Sequence, residues 1–275
     1  MIKKLNKYID FLQRISSQNK IIAELKSHNN STLNTILDTI FQVKNSKFSN
    51  EDLKIFNEIE SYRNNLSQST QVITYEIFGS DSTAKVKFIS KQAASPEIWA
   101  KFHYALAKNL KAKNYLEIGT NLGVSCSYII SALKENDDFN FVTMEGIQAL
   151  CEISQKQFST LTDEKNFKII QGLYENTFPQ VLDLPFDFDV IFIDGNHQKS
   201  PTLHYFESLK SKINSPAVVV FDDINWSEEM KEVWAIIKND SIVNYAIDLY
   251  KLGIVLIDKN DINKNISKNL FLTMQ

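Results

Sequence analysis

Residues 115–126 read YLEIGTNLGVSC. An apolar run ends in an acid, Glu117, turns through Gly119 and Gly123, and continues with helical spacing. The chain has only seven glycines. Two of them four residues apart mark a turn where the backbone must pass close to a ligand or to its own helix. Strand, glycine turn and helix in this order open a βαβ unit, and the downstream sequence repeats it. Short apolar runs stand at 114–119, 140–146, 167–172, 188–195 and 217–223. None alternates strictly, as expected of strands buried on both faces. Helical stretches follow near 122–135, 148–160, 200–213 and 227–239. The pattern predicts an α/β fold, a doubly wound, mostly parallel sheet with helices on both faces.

The tail differs. In NYAIDLYKLGIVLID (244–258) two strand-like runs meet at Lys251, Leu252 and Gly253, too close for a crossover helix. They form a hairpin, so the last strand is antiparallel.

Upstream, residues 1 to 66 contain neither glycine nor proline and are rich in Lys, Asn and Ser. Ile2, Leu5, Ile9, Leu12, Ile22 and Leu25 recur at helical spacing and predict an amphipathic helix packed on its own domain or on a partner subunit. Ser49 with Asp52 three residues later resembles a capping box and starts another helix. QVITYEIFG and AKVKFIS read as short strands of a hairpin or lid. Ser95 as N-cap and Pro96 in the first turn open the helix before the sheet. This divides the chain into a mainly helical N-terminal extension over 1–90 and a ligand-binding domain over 91–275, the extension supplying a lid, acceptor contacts or a homodimer contact.

Bulk composition excludes several classes. The 275 residues are 43% hydrophobic and 23% charged with a net charge of −3, ordinary for a globular protein. No basic excess draws the chain to nucleic acid or a membrane surface. No apolar window reaches spanning length, and the N-terminus lacks the features of a signal peptide, so a cytoplasmic location is expected. Cys126 and Cys151 sit in apolar helical patterns and read as reduced core residues.

In open parallel sheets ligands bind beyond the carboxyl ends of the strands. Those ends carry Glu117 and Gly119, Glu145 and Gly146, Gln171 and Gly172, then Asp194-Gly195-Asn196-His197, and Asp222-Asp223. Four of the five strands thus end in carboxylates, which are costly beside apolar strands unless something pairs with them. Glu145 suits the hydroxyls of a ribose. A dinucleotide fingerprint is G-x-G-x-x-G and faces a pyrophosphate. Here the pattern is E-x-G-x-x-x-G, and an acid suits a cationic nucleoside better than a phosphate.

With these residues in place, the chain resembles the class I S-adenosylmethionine-dependent methyltransferases. YLEIGTNLGVS is similar to their first motif and FVTMEG to their acidic motif. The resemblance spans residues 90 to 260 and implies a Rossmann-like sheet of seven strands closed by the antiparallel hairpin. It implies S-adenosylmethionine as cofactor, with Glu117, Gly119, Thr120, Asn121, Gly123, Glu145, Gly146, Gly172, Leu173 and Asp194 as its contacts. IDGNH followed by VVVFDDINW resembles the metal-dependent small-molecule O-methyltransferases, of the catechol type and the type acting on antibiotic sugars. That likeness implies Mg²⁺ or another divalent cation on Asp194, Asp222 and Asp223. It makes His197 the general base beside Asp194, and the hydroxyl of a small molecule, such as a sugar or natural product, the acceptor. An unperturbed imidazole titrates near pH ~6.5, suitable for that role. The acid pair at 222 and 223 fits the antibiotic-sugar type better, since the catechol type commonly has Asn at the second position. Metal-free transfer to a carboxylate or amine, and a non-catalytic cofactor-binding subunit, are the alternatives. His103 and His204 read as structural or surface residues, Trp226 as a pocket wall or core residue, and Tyr174 and Phe178 as flanking the adenine.

Overall fold

A computed structural model of the chain describes residues 2–274, with side chains from residue 7 onward. In chain order the elements are α1 (Ile2–Lys26), α2 (Ser31–Lys44), α3 (Asn50–Leu66), β1 (Val72–Thr74), β2 (Thr83–Lys85), α4 (Val86–Gln92) and α5 (Glu97–Leu110). The alternating part follows with β3 (Asn114–Ile118), α6 (Val124–Leu133), β4 (Asn140–Glu145), α7 (Gln148–Leu161) and β5 (Phe167–Gln171). Next come the short α8 (Tyr174–Thr177) and α9 (Pro179–Leu182), then β6 (Phe188–Ile193), α10 (Lys199–Leu209), β7 (Ile213–Phe221) and α11 (Glu228–Ile237). The chain closes with β8 (Tyr245–Asp248), β9 (Gly253–Ile257) and β10 (Ile266–Asn269).

The main sheet has the order β10-β8-β9-β7-β6-β3-β4-β5. β3, β4 and β5 run parallel, and β9 is antiparallel to both β7 and β8. This is the expected mixed sheet with its closing hairpin, but it has eight strands rather than seven. The extra strand, β10, lies parallel to β8 at the edge. Its four residues alternate between partial and full exposure, and an edge strand in a polar tail has no buried face to give it an apolar signature.

The chain divides into two compact units, one made of the N-terminal helices up to Asn45 together with Asp189 onward, the other of Ser46–Phe188. In Ser46–Phe188, α3 begins with a complete capping box. Asp52 N donates to Ser49 Oγ at 3.1 Å, and Ser49 N donates to Asp52 Oδ2 at 3.0 Å. Asp52 also accepts from Tyr104 Oη (2.6 Å) and Lys108 Nζ (2.9 Å), which ties α3 to α5. Every residue of α6 is buried. Gly123 starts this helix at φ +69°, and a Cβ there would lie 2.8 Å from a Phe158 ring carbon on α7. Only glycine satisfies both the left-handed backbone and the close approach.

Two local expectations shift. The helix before the sheet is capped by Pro96, with Glu97 as its first residue, instead of by Ser95. The strand expected in AKVKFIS stops at Lys85, and VKFISKQ is helical, with Val86, Ile89 and Ser90 buried. That spacing puts one face of a short helix on the core.

In the other unit, α1 is a helix as expected, with Leu25 of the expected stripe buried and Ile22 half-buried, but its first half turns a different face inward. The side chains of Ile2 and Leu5 lie outside the described residues. Phe11, Arg14, Gln18 and Leu25 are buried, whereas Ile9 and Leu12 are exposed. The buried face is selected by the β8–β9 turn, where Phe11 packs edge-on against Tyr250 at 4.8 Å and Arg14 pairs with Asp248.

Candidate functional site

One cluster of candidate residues lies within Ser46–Phe188, where β3, β4 and β5 end. Met144 O, near the end of β4, accepts from the backbone N–H groups of Gly119 (3.2 Å) and Thr120 (3.0 Å). Thr120 Oγ1 meets Thr143 Oγ1 at 2.7 Å. Asn121 N donates to Glu145 Oε2 at 2.8 Å, Ile147 N donates to Glu145 Oε1 at 2.9 Å, and Gly172 N donates to Glu145 O at 2.9 Å. These bonds bring Gly119, Thr120, Asn121, Glu145 and Gly172 to one edge, with Glu117, Gly123, Gly146 and Leu173 adjoining them in sequence. Gly119, Asn121, Gly123 and Gly172 all have positive φ. For Asn121 this stores strain of the kind that clusters at ligand sites.

Two carboxylates there are perturbed. Glu145 is buried, and burial raises its pKa against the lowering effect of the Ile147, Asn121 and Gly146 backbone donors. Glu117 is wholly buried, and desolvation pushes its carboxyl up to about 7, with Ser125 and Cys126 pulling the other way. Its Oε1 accepts from Ser125 Oγ at 2.5 Å, while Oε2 has no hydrogen-bond partner. A buried carboxylate with an unsatisfied oxygen suits a cationic ligand and opposes a phosphate.

The 72–85 segment, read as a hairpin or lid, is a two-stranded hairpin whose tip reaches this edge. Phe78 lies over Gly146, where a Cβ would come within 2.9 Å of its ring. The Phe78 ring is 55% exposed. Burial and the nearby Glu145 raise the Tyr75 phenol.

A second, separate cluster lies in the other unit, on the turns after β6 and β7. Asp194, His197 and Asp222 each offer a ligand atom, and these atoms all lie within 4.8 Å of one another. His197 Nε2 is 3.4 Å from Asp194 Oδ1. Asp222 is 7% exposed, and its Oδ1 lies 2.8 Å from Lys251 Nζ. Asn196 and His197 after β6 and Asp223 after β7 have positive φ, so both turns are strained. Two carboxylates and an imidazole with ligand atoms this close together suit a divalent cation. Asp223 is not among the converging groups. Its Oδ1 takes Lys251 Nζ at 2.7 Å, and Lys251 also hydrogen-bonds Asp222 Oδ2 at 2.9 Å. Burial alone would lower the Lys251 ammonium, but Asp222 and Asp223 outweigh it and raise it.

Lys251 was missed as a site residue because a lysine in a tight turn between strands carries no functional signature of its own. Other assignments are corrected. Trp226 is 75% exposed and belongs to no core; it sits on the turn before α11, which Ser227 caps by accepting from Met230 N at 3.1 Å. Phe178 is buried. His204 is exposed, and His103 is buried with Nδ1 2.8 Å from Tyr115 Oη, as structural readings require. Cys126 and Cys151 are unpaired and buried, and desolvation raises both thiols, which makes them poor nucleophiles.

Comparison with known proteins finds related sequences and folds. Residues 116–224 match the family profile of a methyltransferase domain. A catechol O-methyltransferase from Niastella koreensis is 29% identical over 125 residues, which cover 45% of this chain and 55% of that protein. The chain therefore spans little more than half the length of that relative. The O-methyltransferase TomG from Streptomyces achromogenes, involved in tomaymycin synthesis and solved with S-adenosylmethionine, superposes with a TM-score of 0.53 at 22% identity, over 60% of this chain and 82% of that one. An O-methyltransferase from Bacillus cereus, solved with S-adenosylhomocysteine, gives a TM-score of 0.54 at 20% identity over 75% and 91%. The chain has the Rossmann-like α/β sheet of these structures. Within it, residues 116–224 are similar to a methyltransferase domain.

Proposed function

We propose that this chain moves a methyl group from S-adenosylmethionine to a hydroxyl oxygen of a small polar molecule, such as a sugar or natural product, assisted by a divalent cation. The convergence of Asp194, His197 and Asp222 carries the proposal. Bound S-adenosylmethionine supplies a methyl group already activated on a sulfonium, so the protein must align the acceptor and remove its proton. Glu145 would hold the ribose hydroxyls, with its carboxylate fixed by the Asn121 and Ile147 N–H groups. The turn residues Gly119, Thr120, Asn121, Gly123 and Gly146, with Gly172 and Leu173, would line the nucleoside. Glu117, behind them, would supply negative charge toward the cationic end. Asp194 and Asp222 would hold the cation, with Asp223 in reserve beside them. A bound divalent cation lowers the pKa of an acceptor hydroxyl and orients it. His197 would take the acceptor proton on its imidazole, steadied by Asp194.

A second reading has one observation in its favour. Lys251 already places a positive charge on Asp222 and Asp223. The acids would then serve structure, and transfer to a carboxylate or amine would proceed without metal. Incubation with S-adenosylmethionine, Mg²⁺ and a panel of hydroxyl, carboxyl and amine acceptors, followed by assay of S-adenosylhomocysteine, tests both. Hydroxyl-selective turnover abolished by a chelator and restored by Mg²⁺ supports the metal-assisted reading. Turnover untouched by the chelator removes it.

A further inference from the structure

The acid pair at the end of β7 carries its own cation, on a turn that is held in place. Ile224 N donates to Lys251 O at 3.1 Å, and Asn225 Nδ2 donates to Tyr250 O at 2.7 Å, which locks the turn to the residues just after Asp222 and Asp223. On its other side, Tyr250 N donates to Asp248 Oδ1 at 2.8 Å. Arg14 and Lys7 of α1 stand over the Tyr250 ring, 5.7 Å and 4.8 Å from its centre. Lys251 is thus presented by a braced backbone, unlike a surface lysine that finds an acid by chance.

The charges are informative. Asp194, Asp222 and Asp223 bring three negative charges, and Lys251 removes one. The remaining two match a divalent cation. The ammonium lies 2.8 Å from Asp222 Oδ1 and 2.9 Å from Oδ2, so it pairs with both carboxylate oxygens.

We propose that Lys251 is a built-in counter-ion of this acid cluster, a positioning residue that sets how tightly the site takes a divalent cation. The inference rests on the metal-assisted reading above. A fixed positive charge at hydrogen-bond distance from two of the acids opposes an incoming cation. It also restrains the acid pair, so it keeps the site ordered and its cation exchangeable.

The test is calorimetric titration of Mn²⁺ into the full chain and into Lys251→Met, with binding checked by Mn²⁺ electron paramagnetic resonance. S-adenosylhomocysteine affinity reports whether each variant is folded. Lys251→Met is expected to bind Mn²⁺ roughly tenfold more tightly or better, since one repulsive charge is gone. Lys251→Arg, which keeps the charge, is expected to stay within about threefold of the parent chain. Lys251→Gln keeps a hydrogen-bond donor and is a second uncharged variant should the methionine form fail to fold; it must tighten Mn²⁺ as well. Parent-like or weaker Mn²⁺ binding by the uncharged variants overturns the inference and leaves the metal-assisted reading standing. Absence of Mn²⁺ binding from every form overturns that reading and the inference together.

Discussion

Arg14 and Asp248 are 234 residues apart in the chain and form a buried ion pair, with Nη1 2.7 Å from Oδ1. The same Nη1 donates to the Asp248 carbonyl at 2.7 Å, and Trp234 Nε1 donates to Asp248 Oδ2 at 3.0 Å. An N-terminal helix, α11 and the closing hairpin therefore meet on one carboxylate. Arg14→Met leaves that carboxylate buried with its main positive partner gone. Loss of one partner of a buried pair typically costs ~3–5 kcal/mol. The Trp234 and Tyr250 donors remain, so a loss near ~3 kcal/mol is expected in urea unfolding. Arg14→Met combined with Asp248→Asn should recover part of it, because the uncompensated charge is removed as well.

Glu117 gives a pH dependence of unusual sign. Its folded pKa is raised to about 7 from an ordinary 4.5. Between these values the folded state holds a proton that the unfolded state has released. Stability therefore falls as pH rises from about 4.5 to about 7, and the loss is complete above that. The full effect is on the order of 3 kcal/mol. Glu117→Gln should show a much flatter stability between pH 5 and pH 8 in denaturant titrations. An unchanged slope in that variant would remove Glu117 as its source.

Gly123→Ala places a methyl group 2.8 Å from Phe158 and 2.9 Å from Ser154 Oγ, at a φ of +69°. Strained left-handed backbone costs ~1–3 kcal/mol at a non-glycine residue, and the contact with Phe158 adds to it. The expected outcome is a lowered melting temperature together with weaker S-adenosylhomocysteine binding, measured by thermal scanning with and without ligand.

Glu145→Ala removes the acceptor that fixes Asn121 N and Ile147 N. Cofactor affinity is expected to fall by ~1–3 kcal/mol, the scale for losing a buried polar partner. Calorimetry with S-adenosylhomocysteine measures it. His197→Ala is expected to keep that affinity and to lower turnover by roughly 10²–10⁴-fold, the range for a lost general base. Equal loss of cofactor affinity in both variants would contradict the two roles.

The periodic half of the chain was readable before any coordinates. Runs buried on both faces, Gly119 and Gly123 at a strand-to-helix turn, and Ser49 with Asp52 at a helix start are short-range signals. Backbone conformation and nearest neighbours govern them, so they survive in a linear reading. The acids at the strand ends were legible for the same reason: in a parallel sheet, position along each run dictates which edge a residue occupies. Tertiary packing decided the rest. α1 offers two amphipathic faces, and only the pairing of Arg14 with Asp248 chose the one holding Phe11. β10 became a strand because β8 offered an open edge. The charge balance of Asp222 and Asp223 depends on Lys251, about 30 residues on. Coulomb attraction and packing act through space, so such contacts leave no periodic or spacing signal in the chain that makes them.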